Sequence, residues 1–468
     1  MTRTWVGLVL ATAFVAACTE TLREPPATGG AGAGGAAGSS ATGYAPVPPT
    51  GGGLVGGAAD AGAPGRTSGG GGSGGGATSP TGAAGTGSTG GMVGPSGPGT
   101  GGMAIPQVVS IAEGSIHYFQ IPAPAIGMRP DGLEVLAADG WVWGGKGPSM
   151  IVRRFTIPAP SGFSDDGSTT IGLIPGPCPT PILFGGRGES VIPASAISFV
   201  SADGSVIAGN AWDPGNCNPM ARTMAFFSGP AGAMVLPPIA SAQSSEALGL
   251  SADGGTLIGH AWTPPVTSGT LFSFTLAKGP TMLGSPPGVV SWRVFTSADG
   301  AAFAGTARDA SGVSAFAWNA GSGLVTLPKL AGRGQSLAVG LSSNGAIVLA
   351  LGTNAPAGPP LLEAQEGLPF TWSSSTGVVP LPGLMPATVF ESVVMTPDAS
   401  WIVGNAAPST GAPPIIWDSS RKPVPLFADA PMFLGLCRPI VMYVAIDAKT
   451  FAGACDATGR ATGFVVRL

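Results

Sequence analysis

Few residues in this 468-residue chain are of types that could do chemistry: two histidines, five cysteines and a periodic set of aspartates. Two histidines leave little material for His-based catalysis or a His-rich metal centre. His260 lies seven residues after Asp253, where equivalent segments carry Asn210, Thr306 and Asn405, so it reads as a scaffold position at a strand end. His117, between Ile116 and the aromatics Tyr118 and Phe119, reads as a half-buried strand residue. The aspartates at 166, 203, 253, 299, 398 and 447 invite a Ca²⁺ reading. One carboxylate per turn does not make a cage of six to eight oxygens, however, and Asp-x-Asp-x-Asp-Gly spacing is absent. Asx-turn capping accounts for them better. Gly30–Gly35 and Gly71–Gly75 match dinucleotide and nucleophile-elbow patterns, but lack the strand before and helix after that either mechanism needs. No catalytic residue, metal or cofactor is expected.

Aromatic residues offer a different chemistry. Trp212 and Trp262 each stand nine residues past a turn aspartate, where an apolar run gives way to a loop. Exposed there, they would stack on sugars or anchor a partner; the alternative is that they fill gaps between neighbouring units. Trp141, Trp143 and Trp292 are further aromatics outside the regular pattern.

The elements that carry these residues repeat. Ser201–Gly204, Ser251–Gly254 and Ser297–Gly300 are identical Ser-Ala-Asp-Gly turns, with degenerate copies at 164–167, 342–345 and 396–399 and a remnant at 446–448. Their Asp or Asn positions are 37, 50, 46, 45, 54 and 49 residues apart, and in six of seven copies a glycine follows six residues later. That period means one supersecondary unit per repeat. Each unit holds four short β-branched or aromatic runs bounded by turn residues, one closing in Leu-Pro (Leu236, Leu327, Leu381), and none has a capped helical period. The expected fold is all-β: a β-propeller of four-stranded antiparallel blades, seven in number with eight possible. The last unit stops after two of its four runs, and unmatched strands near Ser115–Pro122 and Leu133–Leu136 would complete it, closing a ring. An eighth unit would begin at Ala137-Ala138-Asp139-Gly140, although 27 residues to Asp166 are short for four strands.

The stretches Ser201–Gly209 and Ser314–Trp318 resemble the HAF-type extracellular repeat of bacterial surface proteins, across roughly residues 130–468, with Ser314 near the place of that family's His. The resemblance implies an exported propeller-like fold and carries no catalytic residue. At the other end, Arg3, a short apolar stretch and Val15-Ala16-Ala17-Cys18 resemble the lipobox of bacterial lipoproteins. This implies removal of residues 1–17, acylation of Cys18, and an outer-membrane address, since Thr19 rather than Asp follows. Residues 18–104 are then an acylated Cys plus a linker, and 105–468 the propeller. From Pro25 to Ala104, 31 of 80 residues are Gly and the only charged groups are Asp60 and Arg66, so a disordered tether of roughly 50 Å r.m.s. span is expected.

Net charge is −4 and only 9% of residues are charged, which offers no cationic footprint for nucleic acid. The function these features point to is a lipid-anchored, non-enzymatic binding module at the cell envelope, its partner an envelope protein or polysaccharide. An enzyme of lyase or hydrolase type with a central-channel site, or a purely structural envelope component, are the alternatives. In an oxidising compartment the four remaining cysteines are expected to pair. Cys178–Cys217 and Cys437–Cys455 each straddle one turn and lie in distant units, which favours them over bridges across the ring; four buried thiols are the other reading.

Overall fold

The computed structural model describes residues 109–468 apart from 114–115, 145–150, 155–159, 175–179, 186–187, 193–195, 213–222, 231, 240–241, 264–268, 287–288, 310–311, 355–365, 386–387, 411, 429–437 and 458–459. Within it the chain is all-β, with a single 3-10 turn at Pro408–Thr410 and no α-helix among the described residues. The strands form eight separate antiparallel sheets, each a blade of a β-propeller. The innermost strands of blades 1 to 8 are Ala125–Met128, Pro160–Phe163, Ala196–Val200, Ser244–Leu250, Val289–Thr296, Gln335–Leu341, Phe390–Met395 and Arg438–Val444. Each touches the next, and the eighth touches the first, so the inner strands complete a circle.

Both chain ends build blade 8. Its first three strands are Arg438–Val444, Thr450–Ala457 and Arg460–Arg467, and its fourth is Ile116–Ile121, which pairs with Arg460–Arg467. Val109–Glu113 adds a fifth strand outside it. Of the two runs missing from the last repeat, one is thus supplied by Ile116–Ile121 and the other by the inner strand of blade 1.

The count is eight rather than seven, and the eighth turn is not the one at Asp139. Arg129-Pro130-Asp131-Gly132 plays that part: Gly132 N–H donates to the Arg129 carbonyl (2.9 Å) and Leu133 N–H to Asp131 Oδ1 (2.9 Å). Asp139-Gly140 instead forms the tight hairpin between the second and third strands of blade 1. Measured from Asp131, the blade has 35 residues before Asp166, enough for four strands of four residues each.

The repeated turn is a four-residue reversal. Gly204 N–H donates to the Ser201 carbonyl (3.0 Å), and Gly204 has φ 68°, the left-handed conformation that a Cβ disfavours. A Cβ at Gly204 would also lie 2.1 Å from Thr169 Oγ1 of the preceding blade. The same position has φ between 53° and 72° in all eight turns, although Ala399 and Ala448 occupy it in blades 7 and 8.

Six residues beyond the turn aspartate, the second strand passes a β-bulge in the first. Ile197 faces Gly209 and Phe199 faces Ala208, and a Cβ at Gly209 would come 2.0 Å from the Ala196 carbonyl oxygen. The third-strand partners at this position are Phe226, Phe272, Phe316, Phe370 and Phe464 in blades 3, 4, 5, 6 and 8, all nearly fully buried. Spacing, bulge and aromatic ring are one packing unit. Leu236, Leu327 and Leu381 are buried as well, each donating its N–H back to the third strand before a proline ends the outer edge.

Neighbouring turns are linked by a belt of backbone hydrogen bonds. Asp166 donates to the Ala202 carbonyl, Ala202 to Ala252, Asp253 to Ala298, Ala298 to Ser343, Ser343 to Pro397, and Ile446 to Pro130, at 2.6–3.1 Å. No such bond among the described residues joins turn 1 to turn 2 or turn 7 to turn 8. There the second turn residue, the donor in turns 3, 5, 6 and 8, is Pro130 or Pro397, which has no N–H. Between blades, buried apolar side chains form shared clusters: Phe119, Trp143 and Val465 across blades 8 and 1, and Val403, Phe427 and Val441 across 7 and 8.

Candidate functional site

The turn aspartates are engaged in their own turns. Ser201 Oγ–H donates to Asp203 Oδ1 (2.7 Å), which also accepts Ser205 N–H (3.0 Å), while Ser201 Oγ accepts Val206 N–H (2.9 Å). The arrangement recurs at Asp166, Asp253, Asp299 and Asp398, and Asn344 makes it with an amide oxygen. The Ser201 hydroxyl and the Ser205 groups hold the Asp203 carboxyl below its ordinary range; at Asp299 the Ala301 amide and Ser297 hydroxyl do the same. These are Asx turns. Among the described residues no three His, Cys, Asp or Glu side chains gather as a metal set.

The position seven residues past the turn aspartate links blades. Asn210 Oδ1 accepts Ala247 N–H (2.9 Å), Thr306 Oγ1 accepts Ala338 N–H (3.0 Å), and Asn405 both accepts Val441 N–H (2.8 Å) and donates to the Val441 carbonyl (2.7 Å). Each reaches the bulge of the next inner strand. His260 occupies this place in blade 4 but faces a wider irregularity in blade 5, where the ladder skips from Val290 to Val294. Its ring is 3% exposed and its Nε2 is buried without a hydrogen-bond partner. A Cβ at Gly269 would fall 2.6 Å from that Nε2, so a glycine is required beside the ring.

What His260 does support is Trp262. The two rings stack at 5.4 Å between centroids and 19° between planes. Trp262 is half-buried at the last position of Leu257–Trp262, opposite Ser244. Ile258, on the same face of that strand, packs with Val294 and Phe303 of blade 5. Glu246 stands opposite His260 in the ladder with its Oε1 3.7 Å from Nδ1, and its side chain is 28% exposed. An aromatic ring backed by a buried imidazole, with a part-exposed carboxylate beside it, is therefore fixed at the end of a central strand. This can stack and accept hydrogen bonds.

The other singled-out residues are dispersed. Trp212 ends the matching strand of blade 3, opposite Thr223; its side chain lies outside the described residues, as does that of Trp292. Trp143 is a fully buried core residue, 6.3 Å from Trp141. His117 is half-buried in the closing strand opposite Arg467. Cys18, Cys178, Cys217 and Cys437 lie outside the described residues; Cys455 is buried opposite Pro439. Sequence reasoning assigned His260 to the scaffold and Trp262 to a separate possibility. Their spacing of two on one strand was the signal that they share a face.

No protein-family model and no curated protein matches the chain. Solved structures with a similar fold include TolB from Acinetobacter baumannii, at 12% identity and a TM-score of 0.34, covering 77% of this chain and 80% of that one. An oligogalacturonate lyase in complex with manganese has 12% identity and a TM-score of 0.41, covering 77% and 96%. The β-propeller domain of the Trilobed protease from Pyrococcus furiosus has 12% identity and a TM-score of 0.39, covering 64% and 89%. These likenesses concern the propeller fold alone.

Proposed function

We propose that this chain is an exported, lipid-anchored propeller that acts as a non-enzymatic binding module at the cell envelope, with Trp262 as a ligand-contact anchor. The observation that carries the binding reading is the stack of Trp262 on buried His260 beside Glu246. A rigid aromatic surface loses little conformational freedom on binding, which suits it to a sugar ring or a protein hot spot. The imidazole that could have served as a base is instead packed against Gly269. Export and anchoring rest on the Val15–Cys18 motif and the Gly-rich segment behind it.

A screen of residues 105–468 against envelope polysaccharides and envelope proteins tests the binding claim. Trp262→Ala should weaken the ligand found by about tenfold or more. Equal affinity in the variant removes Trp262 from the site, and turnover of any ligand ends the non-enzymatic reading. Anchoring is tested separately: Cys18→Ser should abolish acylation and membrane partitioning, and an acylated, membrane-bound variant would refute it.

A further inference from the structure

Glu246 puts a carboxylate where other inner strands have apolar side chains. It stands five residues before the first residue of its turn, a place held by Ala196 in blade 3, Leu337 in blade 6 and Ile440 in blade 8. Blade 7 also has a carboxylate there, and the next blade supplies its partner: Arg438 Nη2 donates to Glu391 Oε1 (2.5 Å). Among the described residues no lysine or arginine does this for Glu246, and His260 Nδ1, 3.7 Å away, is its one ion-pair neighbour. The imidazole fills that part badly. Its Nε2 is buried with nothing to receive a proton, so an imidazolium would bury an N–H without an acceptor. A neutral ring leaves the charge on Glu246 uncompensated.

Trp262 is unfilled in a matching way. Ser244, Glu246, His260 and Trp262 share one sheet face, because opposed residues and those two apart point to the same side. His260 covers one face of the indole, and Trp262 belongs to neither apolar cluster that flanks its strand. Among the described residues no second ring or cation lies against it. Glu246 is its diagonal neighbour across the ladder, about 7–8 Å away by ordinary sheet geometry. One six-membered ring can span that separation, stacking on the indole and turning a substituent to the carboxylate.

We propose that this face of blade 4 takes a protonated amine carried on a flat ring, an amino sugar, with the ring on Trp262 and the ammonium on Glu246. The carboxylate selects positive charge through a charge-assisted hydrogen bond, and the indole face attracts the same cation. The inference rests on the Trp262 reading above and adds the charge and class of the ligand. The test is calorimetric titration of the full chain at pH 7 with glucosamine, whose amine is largely protonated there. Glucose, N-acetylglucosamine and butylammonium are titrated beside it. Glucosamine should bind at least tenfold more tightly than the two uncharged sugars, and more tightly than butylammonium, which has the amine without the ring. Glu246→Gln should abolish the preference over glucose, and Trp262→Ala should weaken glucosamine about tenfold or more. Thermal midpoints within about 3 °C of the parent show that both variants are folded. Arg293→Gln removes a cation from the stretch of blade 5 that the ladder skips, and should leave glucosamine binding unchanged or tighter. Equal affinity for glucose, a preference that survives Glu246→Gln, or weaker binding in Arg293→Gln overturns the ammonium. Butylammonium binding as tightly as glucosamine overturns the sugar. No glucosamine binding overturns the inference as a whole, and a screened ligand that still depends on Trp262 then leaves the Trp262 reading standing.

Discussion

Asp203 and Asp299 titrate inside the hydrogen bonds that shape their turns. Serine hydroxyls and turn amides depress both carboxyls below the ordinary aspartate value of 3.8, so they stabilise the fold fully above that pH and lose this contribution as pH falls through the depressed folded values. Asn344, with Ser342 Oγ–H at 2.7 Å and Ala346 N–H at 3.0 Å, makes the same bonds without a titrating proton. The double variant Asp203→Asn/Asp299→Asn should accordingly be less stable than the parent at pH 7, lose less stability between pH 4 and 2 and approach the parent in acid, read by urea denaturation across pH; Asp203→Ala should cost about 0.5–1 kcal/mol at neutral pH. These capping roles were legible in the tetrapeptide itself. The pairing of Arg467 with His117 was not, because it depends on which early strand completes the last blade. Cysteine pairing is a further matter of single residues. Cys437 stands two positions before Pro439, the residue facing Cys455, so non-reducing peptide mapping is expected to yield a Cys437–Cys455 peptide, with Cys178–Cys217 as the second.

Each Asp-Gly turn has to satisfy a backbone demand and a packing demand at its last position. Ala399 and Ala448 meet the first poorly, at φ 57° and 53°, where a Cβ is strained. Replacing either by Gly should raise unfolding stability by about 0.5–1 kcal/mol after the entropy and packing losses. Gly204→Ala meets both demands badly, with its Cβ 2.1 Å from Thr169 Oγ1, and should cost about 2–4 kcal/mol. Urea denaturation of the three variants measures both effects. Turn and glycine spacing identified seven of the eight units because bulge, glycine and aromatic ring are locked together. The eighth escaped because Arg129-Pro130 replaces Ser-Ala and Ala137 stands in the glycine position. A turn can keep its hydrogen bonds while changing most of its letters.

Ring closure was legible from the chain ends, since an unfinished last unit and unmatched early strands have to meet. The exact partition was not: one early strand finishes blade 8 and the next opens blade 1. The seam between blades 8 and 1 is the one place where the ring depends on two distant parts of the chain, yet it has both the Ile446–Pro130 hydrogen bond and the Phe119–Trp143–Val465 cluster. Blades 7 and 8 lack the belt bond but share a large apolar cluster. Blades 1 and 2, joined by continuous chain, have neither a belt bond nor a shared buried cluster among the described residues. Local opening follows the least-bonded boundary rather than the covalent map. Native-state hydrogen exchange should therefore find the turn amides of blades 1 and 2 exchanging through lower-energy openings than those of blades 3 to 6, with the 8–1 junction protected. Uniform protection around the circle would refute this. The clasp, in short-lived fluctuations, is then the part that stays shut, and the ring loosens one blade further along, where Pro130 left a link out.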